Sequence, residues 1–175
     1  MDYSRLDKET IAWAHDNARA LLSEENERVR TIDGKAAQLA GFAGIILAVL
    51  GSVAPDAFDA NLGQIGEVTL AVAFFLAAGA LSASILWLVF KVMKPYRFVA
   101  LDAKEIRNYL DDERLLRAEP WALQMRTLRV LAGVAQWAQD VVQSKADRLA
   151  EGVVLFGVGL GATLVAVVTI GVSNL

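Results

Sequence analysis

Cysteine is absent from this chain of 175 residues, and histidine occurs once, as His15. Without thiols the chain has no disulfides, no thiolate metal sites and no cysteine nucleophile. A zinc site built around one histidine would need mostly carboxylate ligands, which is an unusual ligand set. A lone histidine in a charged segment is more typical of a helix surface than of a metal centre. We therefore predict a protein with no metal site and no cofactor.

Patterns typical of strands and of nucleotide-binding loops are also missing. No segment alternates polar and apolar residues as a half-buried strand does, so no glycine-rich loop follows a strand. The closely spaced Gly157, Gly159 and Gly161 lie inside an apolar run, where glycine indicates close helix approach rather than phosphate binding. The net charge of −3 is not that of a general nucleic-acid-binding protein. We predict an all-α protein that is not an enzyme and binds no nucleic acid polymer.

Lysine and arginine are missing from two long stretches, residues 36–90 and 149–175. All seventeen cations lie in residues 1–35 and 91–148, six in the first segment and eleven in the second. The chain is 55% hydrophobic with a mean hydropathy of +0.41, which is too apolar for an ordinary soluble domain of this size. Segregated charge of this kind indicates membrane helices joined to polar helical segments.

The cation-free stretches contain three long apolar runs. Residues 36–54, 68–90 and 152–172 carry no charged side chain over nineteen, twenty-three and twenty-one positions. A helix needs about 20 apolar residues to cross the hydrocarbon core of a membrane. Three such helices in a soluble fold would leave too little polar surface to cover them. A secretory signal in the first run is not expected, because a long acid-containing segment precedes it and Pro55 would follow the cleavage site. We predict three transmembrane helices.

The cations also predict the orientation of the spans, because cytoplasmic loops carry the excess of lysine and arginine. Residues 1–35 and 91–148 are therefore placed in the cytoplasm. The short loop at 55–66 carries Asp56 and Asp59 without a cation, so it is placed outside. Three spans then put the N-terminus in the cytoplasm and the C-terminus outside.

The two cytoplasmic segments have the periodicity of helices that pack against other helices. In residues 4–33 apolar side chains recur at close to a 3.6-residue spacing. Residues 101–117 predict a shorter charged helix, and Pro120 suits the first position of the next one. A seam of residues spaced seven apart then runs into the last span; its members are Trp121, Leu128, Ala135, Val142 and Leu149, with Leu131 and Ala138 between them.

These patterns predict four segments in one all-α membrane protein. The cytoplasmic helical bundle is formed by extensions of the spans. The segments are an amphipathic helix at 1–35, a two-span hairpin at 36–90, a helical segment at 91–148 and a third span at 149–175.

Small residues within the spans predict where helices approach closely. Gly41 and Gly44 form a small face on the first span, and Gly157 and Gly161 make a G-x-x-x-G step on the third. Packing of the three spans within one chain and self-association of several chains both explain such faces. We favour self-association into a homo-oligomer, because three thin spans bury little surface alone.

Two groups of charged residues supply the remaining candidates. Glu24, Glu25 and Glu27 form an acidic cluster without the spacing of a calcium loop, so we interpret it as a solvated helix face. Five arginines of the second cytoplasmic segment could meet phosphate groups, although any solvated basic face offers the same charge. These candidate ligand-binding residues are Arg107, Arg114, Arg117, Arg126 and Arg129.

A motif at the start of the first span resembles a known family. It reads R-x-x-x-I-D-G-K-A-A-x-L-x-G and comprises Arg28, Ile32, Asp33, Gly34, Lys35, Ala36, Ala37, Leu39 and Gly41. The chain also has a charged N-terminal helix, a two-span hairpin, a cytoplasmic helical segment and a last span. In this motif and layout it resembles the Pycsar transmembrane effector family and the related SLATT-type effectors of bacterial anti-phage systems.

The resemblance implies a function and a location. Members of the family are thought to respond to a nucleotide second messenger and to impair the bacterial inner membrane. By carry-over, Asp33 and Lys35 would lie at a hinge between the sensing helix and the first span, while no nucleotide-contacting residue can be transferred. The expected protein is a self-associating effector of the inner membrane, with the lipid bilayer and a cyclic nucleotide as partners. The alternative is a non-enzymatic scaffold or accessory subunit whose cytoplasmic helices dock a partner protein.

Overall fold

Three long helices make up the described chain. The computed structural model describes residues 8–59, 63–95 and 120–173, and no strand occurs in these ranges. Helix α1 spans Lys8–Asp59, α2 spans Gly63–Trp87 and continues as a π-helix over Leu88–Val92, and α3 spans Pro120–Ser173. The prediction of an all-α fold is confirmed.

Each of the three helices is long and apolar enough to cross a membrane, as predicted. Their most apolar windows have mean hydropathies of 2.0, 2.2 and 2.5, yet only 17%, 28% and 11% of the residues in those windows are buried within the chain. So large an exposed apolar surface is suited to a lipid environment and is unfavourable in water. With 52 and 54 residues, α1 and α3 run for about 80 Å along their axes at 1.5 Å per residue. That length exceeds a hydrocarbon core of about 30 Å.

The helix boundaries differ from the predicted ones mainly at the connection between α1 and α2. Helix α1 continues through Pro55 to Asp59, and α2 begins at Gly63. The connection is therefore shorter than the loop predicted at 55–66. Proline removes one backbone amide donor, and its ring crowds the preceding turn of the helix. Both effects are local, so a few helical residues can still follow a proline near a helix end. At the other predicted helix start, α3 does begin at Pro120.

The chain divides into two compact units. One comprises Met1–Arg30 with Pro95–Gln143, and the other comprises Thr31–Lys94 with Ser144–Leu175. The second unit, which we call the span unit, contains all three apolar runs. The predicted helix at 101–117 lies outside the described residues. The placement of residues 1–35 and 91–148 in the cytoplasm stays a prediction.

Buried residues in the span unit recur every seven positions on each helix. This spacing keeps one face of a helix on its neighbours when helices wind gently around each other in a left-handed sense. The buried positions that follow this spacing are Ala36, Ala43, Leu50 and Ala57 on α1, Leu70, Ala77 and Ser84 together with Leu81 and Leu88 on α2, and Lys145, Gly152, Gly159 and Ala166 on α3. Most are small, so the helix backbones can approach closely.

These buried residues meet in three layers that establish the helix directions. One layer holds Ala36 and Leu88 with Leu149, and the layer at the opposite end holds Ala57, Leu70 and Ala166. A middle layer lies between them. Residue numbers rise together on α1 and α3 and fall on α2, so α1 and α3 are parallel and α2 is antiparallel to both. That order suits a chain crossing a membrane three times.

The described part of the first unit has a small core that includes the carboxylate of Glu25. Ala18, Ala135, Ala138 and Val141 are buried there. Glu25 is only 3% exposed, and its Oε1 accepts a hydrogen bond of 3.2 Å from Arg28. The interpretation of the acidic cluster as a solvated face is therefore wrong for Glu25, which shares the inward face with Ala18 at a spacing of seven residues.

Candidate functional site

Polar contacts between the helices of the span unit gather at one end of the bundle. They lie beside the layer formed by Ala36, Leu88 and Leu149, where α1 and α3 enter the unit. We call this group the polar junction. Its residues are Asp33, Ser84, Trp87, Lys91, Lys145, Arg148 and Gly152.

The centre of the polar junction is an ion pair between α1 and α3. Lys145 is 1% exposed, and its Nζ lies 2.5 Å from Asp33 Oδ1, whose side chain is 35% exposed. Lys145 occupies a position of the seven-residue repeat that is otherwise filled by small residues, namely Gly152, Gly159 and Ala166. A buried ammonium group is costly unless an opposite charge faces it. Asp33 supplies that charge from the neighbouring helix.

Trp87 and Arg148 fasten the end of α2 to α3. The indole Nε1 of Trp87 donates a hydrogen bond of 3.1 Å to the carbonyl of Arg148. In return, Arg148 Nη1 donates one of 3.2 Å to the carbonyl of Lys91 in the π-helix. That carbonyl belongs to the last turn of the helix, and Pro95, four residues later, has no amide proton to donate to it. The guanidinium therefore caps the end of the second span.

Two glycines of α3 bring α2 into close contact below the ion pair. A Cβ on Gly152 would lie 2.6 Å from Leu88 Cδ2, and one on Gly159 would lie 2.7 Å from Leu81 Cγ and 3.1 Å from the Leu81 backbone nitrogen. The buried Ser84 hydroxyl uses this approach to donate a hydrogen bond of 3.1 Å to the carbonyl of Gly152. The absence of a side chain at both glycines thus allows a contact between the two helices.

The other end of the span unit contains an apolar groove of about 220 Å³ between the three helices. The one hydroxyl in its wall belongs to Thr163 and donates 2.9 Å to the carbonyl of Gly159 within its own helix. The groove therefore presents no free hydrogen-bonding group to a polar ligand. It is lined by Ile45, Ile46, Val49, Leu50, Val53, Phe74, Thr163, Ala166, Val167 and Ile170.

The two predicted hinge residues lie in unbroken helix. Asp33 and Lys35 are interior residues of α1, and the boundary between the two compact units falls just before them, between Arg30 and Thr31. Asp33 forms the ion pair of the polar junction, whereas Lys35 is exposed. A hinge role for either residue stays a prediction.

The predicted ligand-binding arginines are only partly within the described chain. Arg107, Arg114 and Arg117 lie outside the described residues. Arg126 and Arg129 are on α3 in the first unit, and Arg129 is exposed. Their role in binding a ligand stays a prediction.

The four predicted packing glycines face open space within the chain. A Cβ on Gly41, Gly44, Gly157 or Gly161 would meet no atom within 4 Å. The close contacts inside the chain are made instead by Gly152 and Gly159. The four open glycines thus remain available for contact with another copy, which stays a prediction.

Sequence reasoning did not identify the ion pair, although a signal for Lys145 was present. Lys145 continues the seam of Leu131 and Ala138 at the same spacing of seven, and a charged residue at such a seam position indicates a specific partner. The pattern could not say that the partner is Asp33, since spacing along one helix carries no information about the next.

No protein-family model, curated protein or solved structure matches the chain. A function must therefore be inferred from the polar junction and from the exposed apolar faces of the spans.

Proposed function

We propose that this protein is a self-associating effector of the bacterial inner membrane. In this proposal the cytoplasmic helices respond to a nucleotide second messenger during anti-phage defence, and the spans then depolarise or disrupt the membrane. The resemblance at Asp33, Gly34, Lys35 and Ala36 suggests this class, and three membrane-length helices are compatible with it.

The observation that carries the proposal is the buried Lys145–Asp33 ion pair. An apolar residue at position 145 would pack without the desolvation cost of an ammonium group, so a switching role accounts for the pair better than stability does. It joins α1 and α3, the two helices that also run through the first compact unit. A change in that unit can therefore reach the spans by straining or releasing this one contact.

Exposed surface of the spans supports self-association. Large side chains such as Phe42, Phe75 and Leu164 are more than half exposed, and the open glycines lie beside them on α1 and α3. Lipid alone can cover such faces. Glycine, however, favours close helix contact, because it allows backbone-to-backbone packing that lipid tails do not need.

The scaffold alternative is favoured by one feature of the first unit. Trp13 on α1 is 70% exposed, and a large aromatic side chain on a polar helix is a common anchor for a partner protein. The two functions differ in their effect on membrane potential, since only the effector changes it.

Induced expression with a potential-sensitive dye tests the effector function. We expect the wild type to depolarise cells when a cyclic nucleotide is supplied. Lys145→Met should abolish the response while the protein stays in the membrane, because the ion pair between α1 and α3 is lost. Lys35→Gln removes a nearby exposed cation and should respond as the wild type does. Unchanged potential for the wild type with every cyclic nucleotide would refute the effector function and leave the scaffold.

A further inference from the structure

Two exposed lysines follow the apolar part of the second span. Lys91 lies in the π-helix and Lys94 lies three residues later, and neither forms an ion pair with a carboxylate of the described residues. Asp147 and Glu151 flank Arg148 on α3. Neither carboxylate forms an ion pair with Lys91 or Lys94. Within the described residues, no carboxylate compensates the charges of these lysines at this corner of the span unit.

The same corner holds its cations in place through Trp87. Lys91 Nζ lies over the indole ring, 5.8 Å from its centroid. The indole Nε1 donates to the carbonyl of Arg148, whose own guanidinium donates to the carbonyl of Lys91. Each contact restricts the next, so Lys91 is positioned over the indole ring while the turn of α3 that carries Arg148 is fixed beside it.

The depth of this corner indicates which anion is available. Lys91 directly follows the uncharged run at 68–90, and tryptophan, lysine and arginine at the end of a span lie at the level of the lipid headgroups. The cytoplasmic leaflet of a membrane carries anionic lipids that attract basic side chains placed there. A soluble phosphate is a second possible source of the same chemistry.

We propose that Lys91 and Lys94, together with Trp87 and Arg148, bind the phosphate of an anionic phospholipid headgroup. The lysines supply the charge, Trp87 holds Lys91 at headgroup depth, and Arg148 is held beside them by its hydrogen bond to the carbonyl of Lys91. The proposal does not rest on a response to nucleotides, because all of its contacts lie within the span unit.

The test compares lipid binding by the full-length protein in detergent, using native mass spectrometry. The probes are phosphatidylglycerol and phosphatidylcholine with identical acyl chains, so that only the net headgroup charge differs. We expect the wild type to bind phosphatidylglycerol in preference, and Lys91→Gln with Lys94→Gln to weaken that binding about 25-fold, since each lysine near an anionic surface contributes roughly a fivefold effect. Lys91→Arg with Lys94→Arg should restore it. The matched control, Arg19→Gln with Arg30→Gln, removes two exposed charges elsewhere on α1 and should bind as the wild type does.

Four outcomes would overturn the site. They are equal binding of both lipids by the wild type, an equal loss in the Arg19/Arg30 control, failure of arginine to restore binding, and displacement of phosphatidylglycerol by millimolar inorganic phosphate. The last outcome would assign the corner to a soluble anion rather than to a lipid. Helicity by circular dichroism is measured for every variant, so that a misfolded protein is not counted as a loss of binding.

Discussion

Replacing Asp33 with asparagine is expected to lower the free energy of unfolding by about 3 kcal/mol, because the substitution removes the charge facing a buried ammonium group. Lys145 is 1% exposed, so water cannot replace the carboxylate without opening the contact between α1 and α3. Asp140→Asn is the matched control, since Asp140 is exposed on α3 and its loss should change stability by less than about 0.5 kcal/mol. Reversible unfolding of the detergent-solubilised protein measures both.

The opposite substitution should be milder. Lys145→Met leaves Asp33, which is 35% exposed and can be solvated, so we expect a loss of about 1 kcal/mol or less. Combining Asp33→Asn with Lys145→Met should restore most of the stability lost in Asp33→Asn alone, because no buried charge then remains. Equal losses for the two single variants, or additive losses in the double variant, would contradict a buried lysine neutralised by Asp33.

Gly159→Ala is expected to destabilise the span unit by about 1–3 kcal/mol through overpacking. The new Cβ would lie 2.7 Å from Leu81 Cγ and 3.1 Å from the Leu81 backbone nitrogen. A branch carbon and a backbone atom cannot move aside without shifting α2. Gly152→Ala should cost less, because the nearest atom there, Leu88 Cδ2, is the end of a flexible side chain.

Gly157→Ala is the matched control for this substitution. It lies two residues away on the same helix and faces open space, so the fold should be unaffected or slightly more stable, because alanine favours helix over glycine. Any effect of Gly157→Ala should instead appear as weaker self-association, measured by light scattering in detergent. A loss of stability at Gly157 equal to that at Gly159 would contradict the observed helix faces.

The helices and their approximate lengths can be predicted from simple sequence patterns. The three uncharged runs predict three apolar helices, and Pro120 begins α3 because its missing amide donor and fixed backbone angle suit a first helical turn. The end of α1 was harder to predict. Pro55 and the acidic residues after it favour a loop, yet the helix continues for one more turn to Asp59.

The packing of the spans required information that local motifs do not contain. The G-x-x-x-G step directs attention to Gly157 and Gly161, but the inward face of α3 follows the seven-residue spacing through Lys145, Gly152 and Gly159. The four-residue step and the seven-residue spacing indicate different faces of the same helix. Only the position of α2 shows which face packs inward. The choice of Asp33 as partner depends in the same way on the register of α1 against α3.

The headgroup site and the effector function both require three spans with both basic segments in the cytoplasm. Because the chain has no cysteine, single-cysteine variants report this topology without background. Ser173→Cys, at the end of α3, should react with a bulky polyethylene-glycol maleimide on intact spheroplasts prepared at low expression. Ser23→Cys, exposed on α1, should react only after the spheroplasts are lysed. Labelling of Ser23→Cys on intact spheroplasts, or protection of Ser173→Cys until lysis, would contradict the three-span topology.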